Sequence, residues 1–560
     1  MILRIIDILL MLHKIKPIFL MEKSEKIEIY DTTLRDGTQQ SGINLSLEEK
    51  ILITKKLDEL GVDFIEGGFA GSNPKDEEYF KRVKNLELKN SKIVSFGQTR
   101  KPNSNVSDDP FIDAILSANT DYVTIVGKAS AYQTEKILKT SLEENINMIA
   151  DSVQYLKKNN KEVFFDAEHF FDGYKDNPDY SILCIKTAID AGATRVILCD
   201  TNGGTLPSEI FEITKKILDE FKNDKMFGIH THNDTDTAVA STLSAVEAGV
   251  FQVQGCINGY GERTGNANLI SVIANLNLKM NKKTLVNQDN IDQLTNVSNF
   301  VSEVANKRPF PFQPYVGKNA FTHKGGMHAA GYLIDPKSFQ HIEPTDVGNE
   351  SSISISELSG KKSVMTRIKN LGLDHILDAK NAEEIIKIIK EKESKGYAFE
   401  LASSSLDLLI YRSLPNYEEK FELVDFMVII ENKRRGSLGT GWRHNDQEHP
   451  MLSEATIKLR TENKVIHTAA EGNGPVDALD KATRKGLIDT FPEINKIRLT
   501  DYIVRVVEEG TGTGAVVRVI IESSDDKDVW TTVGASSNII EASWIALYDS
   551  IEWFLLKNPN

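Results

Sequence analysis

The run "FGIHTHNDTD", Phe227 to Asp236, sets His230 and His232 two residues apart in a chain that holds only 11 histidines. A strand projects residues i and i+2 to one face, so the two imidazoles would leave this segment side by side. Such a pair suits a divalent cation, and it equally suits two polar rings sharing a wet surface; taken alone it does not choose between them. Groups that could complete a site stand elsewhere: Arg35 and Asp36 in "DTTLRDGTQQ", and Asp166 and Glu168 in "FFDAEHF". Two more histidines, His323 and His328, flank a glycine pair in "FTHKGGMHAAG".

These residues do chemistry only if the chain brings them together. From Ile27 onward short β-rich runs alternate with longer helical patterns: "KIEIYDTTL" precedes "SLEEKILITKKLDELG", "VDFIEGGF" precedes "DEEYFKRVKNL", and "KIVSFGQT" precedes "PFIDAILSAN". The alternation continues through "DYVTIVGKA", "EVFFDAEHF", "TRVILCD", "MFGIHTHND" and "VFQVQGCING", each followed by a helical stretch, which makes eight βα units. Strict βα repetition demands a parallel sheet with helical crossovers. Eight units in about 255 residues fit a closed (β/α)8 TIM barrel better than an open doubly wound sheet.

In such a barrel the reacting groups sit at the C-terminal ends of the strands. Arg35 and Asp36 follow the first strand, Glu66 lies on the second, Asp166 and Glu168 on the fifth, and Thr201 and Asn202 end the sixth. His230 and His232 end the seventh, and "NGYGERTGNAN" follows the eighth. A chance surface pair would not predict this convergence, so the metal-ligand reading gains from it.

At 560 residues the chain is too long for one ordinary core, and its net charge of −15 argues against nucleic acid or an anionic membrane as partner. Cys184, Cys199 and Cys256 are widely spaced and form no CxxC, as expected of buried thiols in the cytoplasm. The apolar start "MILRIIDILLMLHKIKPIFLMEK" is broken by Arg4, Asp7, His13, Lys14 and Lys16, too often for a membrane span. Residues 1–24 are therefore expected to be an N-terminal extension and residues 25–285 the barrel.

Residues 286–419 are expected to be mainly helical linker subdomains. They hold a proline-punctuated loop, then a glycine-rich turn whose histidines could reach back over a barrel mouth, then the charged helix "NAEEIIKIIKEKESKG", read as a solvated face. Residues 420–560 show two ββα passages in similar order, the mark of an internally repeated α+β module. Within it "EGTGTGA" follows no dinucleotide-binding register and is expected to be a hairpin turn.

Four motifs in order, "DTTLRDGTQQ", "HTHND", "NGYGERTGNAN" and "FTHKGGMHAAG", resemble the acyl-CoA-dependent Claisen-condensing synthases, the family of isopropylmalate, homocitrate and citramalate synthases. Within it "FFDAEHFFDGYKDNP" and "LCDTNGGTLP" look most like the citramalate synthases, and the resemblance spans residues 25–555. It implies a cytoplasmic homodimer that joins acetyl-CoA to pyruvate and releases CoA, with a C-terminal regulatory and dimerisation domain sensing isoleucine. It places Asn266 with Asp36, His230 and His232 at a divalent metal, Mg or Mn. It also assigns Arg35 to the growing alkoxide, Thr201 and Gln39 to substrate, and enolisation and thioester hydrolysis jointly to Glu168 and His328.

The chemistry agrees independently. A 2-keto acid carries a carboxylate and a keto oxygen on adjacent carbons, a natural chelate for a hard cation. One departure stands out: relatives carry a tyrosine about eleven residues after the histidine matching His328, where this chain has Phe339. Tyr332 or His341 takes its place, or that hydroxyl is dispensable. Lyases that cleave hydroxyacyl-CoA share the barrel, but they are expected to end soon after it. Asp166 would repel a distal carboxylate, which disfavours 2-ketoglutarate, while 2-ketoisovalerate remains the alternative acceptor.

Overall fold

The computed structural model describes residues 26–353, 355, 360–431, 452–461, 464–507 and 514–558. The extension assigned to residues 1–24 lies outside them. Two compact units emerge. The first runs to Phe321 and takes in His341–Ser351; the second comprises Thr322–Gln340 and the described residues from Ser352 on.

The first unit is the expected barrel. Its strands are β1 (Glu28–Asp31), β2 (Phe64–Phe69), β3 (Lys92–Gln98), β4 (Tyr122–Lys128), β5 (Glu162–Glu168), β6 (Arg195–Asp200), β7 (Phe227–Thr231) and β8 (Gln252–Gly255). They pair in sequence order, and β8 closes on β1 in parallel register, Glu28 opposite Gln252 and Asp31 opposite Gly255. The helices between them start where the sequence supplies caps. Ser46 forms a capping box with Glu49 ahead of Leu47–Leu60, and Asn73 and Asp109 cap helices that begin with Pro74 and Pro110.

Strand alternation sorts the side chains. Ile29, Ile65, Val123 and Val163 join the large core shared with the helices, while Tyr30, Phe64, Val94 and Phe164 form a separate cluster on the other, inner face. Phe64 and Phe164 meet edge to face at 5.1 Å, so the barrel interior is plugged by aromatic rings. Unanticipated by the periodicity, a short helix Phe170–Asp176 precedes the expected Pro178–Asp190.

In the second unit, two-residue strands β9 (Thr322–His323) and β10 (Ser352–Ile353) pair in parallel. The stretch after β9, expected as a turn, forms a helix, Gly326–Tyr332. The charged helix, Ala379–Ser394, is not solvated all round: Ala382, Ile385 and Ile389 are buried in a core with Ile410, Ile520 and Val533. The repeated module has one strand more per repeat than expected. Strands β11 (Glu422–Glu431), β12 (Leu452–Thr461) and β13 (Lys464–Gly472) precede the helix Pro475–Leu487. Strands β14 (Arg498–Val506), β15 (Val517–Ser524) and β16 (Val529–Ser536) precede Ile539–Lys557, and both sheets are antiparallel. The "EGTGTGA" run lies between antiparallel β14 and β15, and residues 509–513 of it are outside the described ones.

Candidate active site

The C-terminal rim of the barrel gathers the expected donors. His230 lies in β7, His232 one residue past its end, and Asp36 opens the short turn Gly37–Gln39 after β1. His230 Nε2 is 3.3 Å from His232 Nε2 and 3.4 Å from Asp36 Oδ2, and His232 Nε2 is 3.9 Å from the same oxygen. All three side chains are buried, and one ligand atom from each lies within 4.8 Å of the others. Among the described residues this is the one such cluster of three.

Asn266 arrives from the loop after β8, which pairs backbone to backbone with His232. Its Nδ2 donates to Asp36 Oδ2 at 3.0 Å and lies 3.3 Å from His230 Nε2. That loop must pass very close, since a Cβ on Gly261, whose φ is +149°, would stand 2.2 Å from Asn266 Oδ1. Arg263 ties three rims together, donating to Asp234 at 2.8 Å and to the Thr201 carbonyl at 2.8 Å.

The residues fit a cation. Asp36 Oδ1 and Asn266 Oδ1 are buried with no hydrogen-bond partner, a costly condition unless another group completes the site. The Asn266 NH2 stands as the positive group between Asp36 and His230, and turning the amide about Cβ–Cγ exchanges it for Oδ1. Burial, with His230 alongside, pushes His232 down to about 3, leaving a neutral imidazole of the kind a metal needs. Burial opposes charge on Asp36 too, but Arg35 and His230 hold it well below the usual carboxylate range. Burial likewise opposes charge on His230, and the Asp36 carboxylate outweighs it, so its pKa stands raised.

Beside the cluster, Arg35 is clamped from two sides. Its Nε donates to Glu66 at 2.5 Å and its guanidinium lies 4.0 Å over the Phe96 ring. Its Nη1 is 3.3 Å from Asp36 Oδ2, so it reaches the donor set directly. Glu66 in turn accepts from the Tyr30 hydroxyl at 2.9 Å. Asp166 is buried, and that burial, reinforced by Glu66, raises its pKa to about 7.

Glu168 ends β5 and pairs with Lys128 at the end of β4. The Thr201 hydroxyl accepts from the His169 N–H at 2.8 Å, and His169 turns the chain there with φ 57°. Gln39 is exposed, and only its backbone N–H, donating to the Asp36 carbonyl at 2.9 Å, is tied to the turn. His328 belongs to the second unit; it is exposed and stacks on Phe339 with ring centroids 4.4 Å apart. His323 stacks similarly on Tyr332 at 4.8 Å, whereas His341 belongs to the first unit and stacks on Phe321. Sequence reasoning passed over Lys128, Tyr30 and Gln254. The signal for Gln254 was a polar residue on the inner face of "FQVQG", where alternation leaves no solvent for it.

A closed parallel barrel with a buried Asp, His, His cluster at its rim defines the general class, and residues 26–301 match the family model described as HMGL-like. Residues 315–396 match "Homocitrate synthase post-HMGL domain-like" and residues 400–555 match "LeuA allosteric (dimerisation) domain". The (R)-citramalate synthase of Aquifex aeolicus (strain VF5) is 49% identical over 538 residues, 96% of this chain and 99% of that protein. That of Geobacter sulfurreducens is 46% identical over 534 residues, 95% of this chain and 98% of its own. A 2-isopropylmalate synthase of Methanocaldococcus jannaschii is 32% identical over 539 residues, 95% of either chain. The chain belongs to the citramalate synthase family.

Proposed function

We propose that this chain condenses acetyl-CoA with pyruvate to give (R)-citramalate and free CoA. What carries the reading is the Asp36, His230 and His232 cluster in a chain that aligns almost end to end with relatives of that name. Asp36, His230 and His232, with the Asn266 amide oxygen turned inward, would hold a divalent cation. Mixed oxygen and nitrogen donors without cysteine favour Mg or Mn. When bound, the cation supplies Lewis-acid polarisation of a chelated keto group.

Arg35, held by Glu66 and Phe96, presents its remaining N–H groups to the charge that gathers on the keto oxygen. Thr201 serves the keto acid carboxylate and Gln39 the mouth of the site. Glu168, oriented by Lys128, takes a proton from the acetyl methyl, and His328 shares the proton transfers. The electron pair left on that carbon forms the bond to the keto carbon, and the keto oxygen takes a proton to become the tertiary hydroxyl. Water then cleaves the thioester to a carboxylate and the CoA thiol.

Residues 25–285 would be catalytic, 286–419 linker subdomains, and 420–560 the regulatory part of a cytoplasmic homodimer answering to isoleucine, with 1–24 an extension. Among the described residues no helix is long and apolar enough to cross a membrane. The test is thiol release from acetyl-CoA with Mg and each of three acceptors, with the product identified by mass. Pyruvate should be fastest and yield citramalate; faster turnover with 2-ketoisovalerate would make the chain an isopropylmalate-forming enzyme instead.

A further inference from the structure

Within the second unit, a cavity of about 210 Å³ opens among the helices Ala379–Ser394, Ser403–Tyr411 and Ile539–Lys557. Lys392 and Arg412 line it opposite a single acid, Asp549, so its ionisable lining carries one excess positive charge. Aliphatic wall comes from Ile388, Leu409 and Ile545.

The arrangement of Arg412 is the informative feature. Its Nη2 lies 2.9 Å from Asp549 Oδ1, yet out of line for a hydrogen bond, and both Nε and Nη2 are buried with no acceptor. Asp549 Oδ2 accepts from the Ser405 hydroxyl at 2.7 Å, which itself accepts from the Val533 N–H at 3.0 Å, so Oδ1 alone faces the guanidinium. Nε–H and Nη2–H form the side-on fork of a guanidinium, which fits the two oxygens of one carboxylate. The same chain satisfies this fork elsewhere: Arg367 donates through Nε and Nη2 to the two oxygens of Asp407, each at 2.6 Å. A buried fork that meets Asp549 only as an ion pair, with no hydrogen-bond acceptor for either N–H, costs free energy, and the cavity beside it has room for a better-placed acceptor.

We propose that this cavity binds a small aliphatic monocarboxylate, its carboxylate on the Nε–Nη2 edge of Arg412 with Lys392 alongside, and its short apolar body against Ile388, Leu409 and Ile545. The site is separate from the barrel rim and does not depend on the reaction proposed there. Phosphate could use the same fork but not the aliphatic wall, so the two anions are distinguishable.

The test titrates the full-length, metal-loaded protein with 3-methylbutyrate, which lacks a keto oxygen for chelation, and in parallel with 3-methylbutyramide and inorganic phosphate. Saturable binding of 3-methylbutyrate is expected with a dissociation constant of about 1 mM or tighter, with the neutral amide at least tenfold weaker. Ile388, about 39% exposed, can be enlarged without opening a core, so Ile388→Trp should fill the cavity and abolish binding. Lys392→Met should weaken it roughly tenfold, as loss of one facing charge predicts. His230→Ala, altered only at the barrel, should bind like the parent. The proposal is overturned if 3-methylbutyrate does not bind, if phosphate alone binds, or if binding survives Ile388→Trp and disappears in His230→Ala. In those cases Arg412 and Asp549 are a structural ion pair beside a packing void.

Discussion

His230 Nδ1 lies 3.0 Å from Gln254 Oε1, and the Gln254 amide is itself fixed by a 3.3 Å hydrogen bond from Nε2 to Asp166 Oδ1. Because the Gln254 NH2 is turned to Asp166, its oxygen faces the ring, and Nδ1 of His230 must be the nitrogen that carries the proton. In the neutral ring that leaves the Nε2 lone pair facing Asp36 and His232, where a metal would need it, and a metal there would take the place of the second proton that Asp36 favours. Gln254→Leu is therefore expected to weaken divalent-metal affinity by about 10- to 100-fold, read by calorimetric titration of Mn into the stripped protein. An unchanged affinity would show that the ring is held without this bond.

Arg35→Lys keeps the charge but loses both the Nε bond to Glu66 and the flat contact over Phe96. The turnover number should fall by about 10²- to 10³-fold, with a much smaller change in the KM for acetyl-CoA. Steady-state kinetics decide the matter, and parent-like turnover would remove Arg35 from the alkoxide role.

Asp31 links the pH to the stability of the barrel. It is fully buried at the end of β1, its oxygens accepting from the Thr33 N–H at 2.9 Å and the Thr33 hydroxyl at 2.8 Å. Burial raises its pKa from 3.8 to about 7, since the hydrogen bonds only partly offset it. Between those values the folded state holds a proton that the unfolded chain has lost, so barrel stability should decline as pH rises from about 4 to 7. Asp31→Asn keeps an acceptor for Thr33 and cannot ionise. It should flatten the decline and stabilise the barrel at pH 8, by at most about 4 kcal/mol. Denaturant titrations at several pH values measure this, and a steeper slope in the variant would reverse the assignment.

The barrel was legible because a helical stripe of period 3.6 and a strand of period 2 leave different marks, and eight repetitions make the marks redundant. Asp36, His230 and His232 were legible for a related reason: strand ends in a barrel all meet at one rim. Lys128 was not, because a lysine ending "TIVGK" looks like any solvated strand terminus until Glu168 is seen beside it. The helix Ala379–Ser394 was misread by its charge; Ile385 and Ile389, one turn apart, carry its buried face among lysines and glutamates that dominate the composition. The third strand of each C-terminal repeat, β13 or β16, was run together with the helix after it, because only a two-residue gap separates Gly472 from Pro475 and Ser536 from Ile539.

The shared core of the second unit bears on how its regulatory role can be tested. Cutting the chain after Leu414 removes Ile520 and Val533, which pack with Leu406 and Ile410 of the helix Ser403–Tyr411 and with Ile385 and Ile389. It also removes Asp549, the acceptor for Ser405. The shortened chain should therefore lose protease resistance from about residue 361 to its end. The barrel core, one cluster running from Ile27 to Val347, should hold. Loss of isoleucine inhibition in such a chain would then report unfolding as much as a missing effector site. The full chain offers a cleaner reading. If residues 420–560 bind isoleucine, adding it should slow amide exchange in β11–β16 and lower turnover, with a coupling of roughly 1 to 3 kcal/mol between effector and substrate. Exchange slowed in the barrel alone would put the effector at the catalytic site, and no change in exchange or rate would end the regulatory reading.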